Sequence, residues 1–190
     1  MRLLAQVLFA FVVAAALGLG LTWLAVRHPP AFGAVASGPW SWRPLGGPGA
    51  TDPYRRAAIA TAGTLPIARG NGVVFQATAD DHGRPLDGRC FYRISGPVPS
   101  ARAWTLTVQT LEGRVFANPA GRVGFTSAEV LRDDAGHIAV ATGPRARPGD
   151  WIPTAAAPFV LRLRLYDTSV GGRGSELDGT LPQVARAGCP

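Results

Sequence analysis

The sequence predicts a mainly β protein: an antiparallel β-sandwich of jelly-roll type with one short helix, preceded by a single N-terminal transmembrane helix. Three observations carry that expectation. Leu3 to Val26 is uncharged and apolar, residues beyond Val73 alternate apolar and polar, and 24 Gly and 17 Pro interrupt the chain often enough to keep its segments short. The 190 residues divide accordingly into an anchor with a short tail (1–28), a Pro/Gly-rich linker (29–50) and one β domain (51–190). Hydrophobic residues at 47% and charged residues at 16% suffice to fill a single core.

The apolar run exceeds the roughly 20 residues that cross a bilayer core. Trp23 lies where interfacial aromatics sit, and Arg27, His28, Pro29 and Pro30 end the helix. Arg2 on one side is balanced by Arg27 and Arg43 on the other, so charge alone does not orient the span. A two-residue tail followed by an apolar stretch resembles a signal sequence, which would place the tail inside and the domain outside. Ala34-Val35-Ala36 before Ser37 has the small residues of a cleavage site, but the apolar stretch is long for a signal peptide, and an uncleaved anchor is expected. The location implied is the inner membrane, single-pass, with the C-terminal domain in the periplasm.

After the linker, in which Trp40 and Trp42 are the bulky residues, Thr51 to Gly63 reads as a helix. Asp52 or Thr51 caps it, Pro53 suits its first position and Gly63 its end. Val73–Ala79 and Arg89–Ile94 flank the turn-rich Asp80–Gly88 and read as a hairpin. Ala103–Leu111 places Trp104, Leu106 and Val108 on one face, and Glu112-Gly113 turns the chain into Arg114–Ala117. Glu129–Arg132 and His137–Thr142 flank Asp133–Gly136 as a second hairpin. Phe159–Tyr166 is the cleanest alternation, with Phe159, Leu161, Leu163 and Leu165 inward and Arg162 and Arg164 outward.

Cys90 and Cys189 are the two cysteines; they are either a disulfide in an oxidising compartment or two separate thiols. Pairing would close a loop of about 100 residues, for up to about 4.7 kcal/mol in the chain-entropy treatment. The formal charge is +7, and all 19 basic residues are Arg. GC-rich coding explains that skew; a surface facing anionic lipid or glycan is the functional alternative. Nucleic acid is disfavoured by the anchor and by the lack of a basic-aromatic stripe.

The order of Asp52-Pro53-Tyr54, the Asp80, Gly83, Leu86 and Gly88 turn leading into Tyr92-Arg93-Ile94, Trp104-Thr105-Leu106-Thr107, Asn118, Trp151-Ile152-Pro153 and Leu163-Arg164-Leu165-Tyr166 resembles the bacterial family called domain of unknown function 1214. The resemblance covers about Asp52 to Pro182. It implies an antiparallel jelly-roll domain, often joined to or encoded near a second domain, DUF1254, that this sequence lacks. A separately made DUF1254-type protein is therefore the partner it implies. Asp150 stands where the family pattern has Asn, so a role carried by that Asn does not transfer.

The familiar catalytic signatures are missing: a nucleophile elbow, a phosphate loop, a dinucleotide fingerprint and a zinc helix. Asp80, Asp81 and His82, with Asp133, Asp134 and His137, have the residue types for metal or acid-base work, but Asp and His before Gly are ordinary turn formers. Trp104, Trp151, Phe159 and Tyr166 would line a pocket or simply fill the core; Arg93, Arg102, Arg162 and Arg164 would receive an acidic ligand or form a solvated strand face. The ligand-binding candidates are Arg93, Trp104, Asn118, Trp151, Arg164 and Tyr166, with no metal or cofactor expected and no catalytic residue assigned. The function expected is a membrane-anchored envelope domain that binds a partner or ligand; the alternative is a hydrolase or carbohydrate-processing enzyme on the same scaffold.

Overall fold

The computed structural model describes residues 2–27, 34–42, 53–62, 67, 71–168, 170 and 181–189. Helix α1 (Arg2–Arg27) buries no side chain and is long and apolar enough to cross a membrane, a test that a signal sequence also passes. Helix α2 spans Pro53–Ala62, with the proline at its first position as expected; the expected caps Thr51, Asp52 and Gly63 lie outside the described residues.

Among the described residues, ten strands form two sheets. Strands β1 (Val35–Ser37), β2 (Trp40–Trp42), β3 (Gly72–Ala77), β5 (Ala103–Gln109), β6 (Gly124–Thr126) and β9 (Val160–Tyr166) make a six-stranded sheet in the order β1-β2-β3-β9-β5-β6. Strands β4 (Phe91–Gly96), β7 (Ile138–Gly143), β8 (Asp150–Pro153) and β10 (Gln183–Gly188) make a second sheet in the order β10-β4-β7-β8. β9 sits between β3 and β5 because its inward residues Leu161, Leu163 and Leu165 are completely buried while Arg162 and Arg164 keep contact with solvent. One core joins both sheets: Phe75, Leu106 and Leu163 from the first meet Tyr92, Ile94, Val140 and Val184 from the second. Tyr92 and Phe159 pack edge to face at 5.5 Å, and Trp42 and Phe75 at 5.3 Å.

The structure differs from the expectation in three places. The segments on either side of Asp80–Gly88 do not pair: β3 joins β2 and β9, and β4 joins β10 and β7. The connection folds as its own turn around Asp80 and carries the chain from one sheet to the other, so local alternation was a poor guide to pairing. Two strands, β1 and β2, come from the stretch read as linker; each is three residues long, too short to show a period. β8 runs parallel to β7, pairing Val140 with Asp150 and Gly143 with Pro153. Only residues 144–149 connect those two strands, so this segment doubles back along the sheet edge.

The two sheets are stitched at both edges. At one, the Trp40 indole N–H donates to the Pro182 carbonyl at 2.6 Å. At the other, the Arg122 guanidinium donates to the Trp151 carbonyl at 3.3 Å.

Candidate functional site

The doubled-back segment between β7 and β8 lies beside the start of β4 and the end of β10, and together they line a half-open surface pocket of about 320 Å³. Its lining is Arg89 and Phe91, Pro144, Arg145 and Arg147, and Gly188 with Cys189. The structure joins Cys189 to Cys90 by a disulfide, so the C-terminal wall is bonded to the residue immediately before Phe91. Phe91 lies against Gly143: a Cβ at that glycine would come within 2.4 Å of the phenyl ring. The glycine thus leaves room for the ring beside β7.

Three guanidiniums surround this aromatic floor in different states. Arg89 is held by Asp87 through a fork with contacts of 2.6 and 3.1 Å. Those hydrogen bonds pull the Asp87 carboxyl down to about 2. Arg147 sits over the face of Phe91, 4.2 Å from the ring centroid. Among the described residues neither Arg145 nor Arg147 pairs with a carboxylate. The pocket therefore carries two uncompensated positive charges beside an apolar wall.

Elsewhere Asp80, Asp133 and Asp150 are spent on local structure. Asp80, 1% exposed, accepts the amides of His82 and Arg84 at 3.0 Å each and the Arg84 side chain at 2.9 Å, with the Arg186 guanidinium 3.3 Å away. Burial pushes its pKa up, but these backbone and side-chain donors outweigh it and hold the group below its ordinary value. Asp133 accepts the amides of Ala135 and His137, closing the second Asp-rich turn. Both motifs thus act as turn formers, and among the described residues no group of three His, Cys, Asp or Glu side chains gathers as a metal site. Asp150 accepts the Leu131 amide at 2.7 Å.

The six sequence-derived candidates fall in several places. Trp104 is 3% exposed and belongs to the core. Arg93 points to solvent from β4, on the second sheet. Arg164 lies on the outer face of β9 with its guanidinium donating to Thr107 at 3.2 Å, and Tyr166 follows at the end of that strand, 37% exposed. Arg162 shares this outer face, where burial and then Arg164 lower its pKa. Arg93 is thus separated from the Arg162 and Arg164 pair, while Arg102 is an exposed residue 3.9 Å from Asp167. Asn118 and Trp151 are brought together indirectly. Asn118 closes its loop by bonding the Arg122 backbone from both amide atoms, and Arg122 reaches the Trp151 carbonyl.

None of the six lines the pocket. The residues that do, Phe91, Arg145 and Arg147, escaped notice because Gly-Pro-Arg-Ala-Arg-Pro-Gly reads as a solvated turn. The signal available was two arginines two residues apart between prolines.

Fold and site together define a two-sheet β domain with an arginine-lined pocket, carried behind an apolar N-terminal helix. A family described as "Protein of unknown function (DUF1214)" matches residues 71–170, more than half of the chain, and the chain belongs to that family. Among solved structures, it is similar to the VPA0106 protein from Vibrio parahaemolyticus, with a TM-score of 0.58 and 16% identity over 74% of this chain and 36% of that one. An uncharacterised protein from Burkholderia cenocepacia gives a TM-score of 0.45 and 14% identity, over 87% of this chain and 39% of that one. The chain therefore spans less than half the length of either structure. No curated protein matches it.

Proposed function

We propose that this protein is a membrane-tethered binding domain of the bacterial envelope, without catalysis of its own, that docks an acidic surface on a partner protein of the DUF1254 type. It would sit in the inner membrane as a single-pass protein with its C-terminal domain in the periplasm. One observation carries the reading: the carboxylates at positions 80, 87, 133 and 150 accept hydrogen bonds from within the domain, while the exposed guanidiniums of Arg93, Arg145 and Arg147 have no carboxylate partner among the described residues. Basic residues outnumber acidic ones 19 to 12 in the chain, and that positive balance favours encounter with an acidic surface.

Two further features support the placement. A disulfide suits an oxidising compartment. Cleavage after Ala36 would cut through β1, which pairs with β2 in the six-stranded sheet, so keeping the anchor also keeps that edge intact.

The test is co-expression of the full chain with a DUF1254-type protein from the same genome, followed by gel filtration in neutral detergent. A complex that survives at roughly 0.1 M salt and dissociates near 1 M is expected. Separate elution at low salt would defeat the proposal.

A further inference from the structure

Beyond the docking of a protein partner, we propose that the pocket between Phe91, the Pro144–Arg147 segment and the disulfide-bound Cys189 binds a phosphate ester, with the phosphate between Arg145 and Arg147 and the organic part against Phe91 and Pro144.

The charge state of the lining favours an anion. Arg89 is neutralised by Asp87 at 2.6 Å, but Arg145 and Arg147 have no carboxylate among the described residues. Arg147 is held on the Phe91 ring, 4.2 Å from its centroid, which leaves its N–H edge free to donate. Each guanidinium carries five N–H donors in a planar fork. A single carboxylate is saturated by one such fork, whereas a phosphate has enough oxygens to accept from two, so two neighbouring unpaired arginines suit phosphate better.

Shape narrows the ligand further. At about 320 Å³ the pocket falls at the small end of the usual range for ligand sites, with more room than a bare phosphate fills. The remaining wall is apolar, made by Phe91, Pro144 and the disulfide sulfur, and suits a glyceryl or similar short organic group. That chemistry exists in two sources, the headgroup of an anionic phospholipid and a soluble phosphorylated compound. Two features shape the site: Gly143 leaves room for the Phe91 ring, and the Cys90–Cys189 bond ties the C-terminal wall to the residue before Phe91.

The experiment uses the full chain in neutral maltoside micelles with two probes. Calorimetric titration with sn-glycerol 3-phosphate reads the soluble source, and native mass spectrometry after exposure to phosphatidylglycerol reads the lipid source. Saturable one-to-one binding of either probe is expected, weakened at least about tenfold in the Arg145→Ala, Arg147→Ala double variant. The exposed-loop variant Arg114→Ala should bind like the parent, and Arg147→Lys, which keeps the charge but loses the planar fork, should fall between. Binding of glycerol 3-phosphate alone assigns a soluble ester, and retention of phosphatidylglycerol alone assigns a headgroup. Failure of both probes, or undiminished binding by a double variant whose melting temperature matches the parent, overturns the proposal. Neither result bears on complex formation with the partner protein, so the two proposals fail separately.

Discussion

Asp80 is the carboxylate on which the crossing between sheets turns. Its oxygens collect the amides of His82 and Arg84, while the neighbouring Asp81 amide donates to Val184 in β10. The Asp80→Asn variant loses the charge that faces Arg84 and Arg186, and a cost of about 1–3 kcal/mol is expected in urea denaturation at neutral pH. Because the folded pKa lies below the ordinary 3.8, that contribution is complete above pH 3.8 and disappears as pH falls through the folded value. The stability gap between parent and variant should therefore close on acidification below pH 3.8; a gap that widened there would contradict the assignment. Gly88 is constrained differently, since a Cβ would lie 1.8 Å from the Ala155 carbonyl oxygen. Backbone must move to admit it, so Gly88→Ala should lower the thermal midpoint, by an amount corresponding to roughly 1–3 kcal/mol.

β9 and β10 mark opposite ends of cohesion within the domain. β9 is paired on both sides and carries three fully buried leucines, so Leu163→Ala should cost about 2–5 kcal/mol by chemical denaturation. β10 is an edge strand, paired with β4 alone and with its register shifted between Arg186 and Gly188. The disulfide closes a separation of 99 residues at this point. Reduction should raise amide hydrogen exchange in β10 well before β9 responds; equal protection in both states would show that pairing alone secures the strand. The contrast explains what could be read from the sequence. β9 was legible because Leu161 to Leu165 alternates leucine with arginine. β8 was not, because Asp150–Pro153 is four residues long and its pairing to β7 depends on a loop that reverses direction. The two sheets were expected as a class, but which strand sits beside which depends on contacts far apart in the chain, such as β3 with β9. The pocket was hidden for the same reason, since its walls come from three separated segments.

At the scale of the whole molecule, the apolar helix and the β domain have distinct chemistry. α1 exposes Leu3, Leu4, Phe9 and Phe11, each more than 70% accessible, and water is a poor solvent for such a surface. The protein should fractionate with membranes and resist extraction by high salt, and protease added to intact spheroplasts should digest the β domain. Protection of the domain in those spheroplasts would place it on the cytoplasmic side. The hairpin of β1 and β2 has a further consequence for reach. Because β1 already belongs to the folded sheet and begins at Val35, only eight peptide steps separate it from the last helical residue, Arg27. At no more than about 3.5 Å per step this is a leash of about 28 Å. With the helix retained in the bilayer, that leash holds the domain close to the membrane surface, within reach of lipids and membrane-bound neighbours.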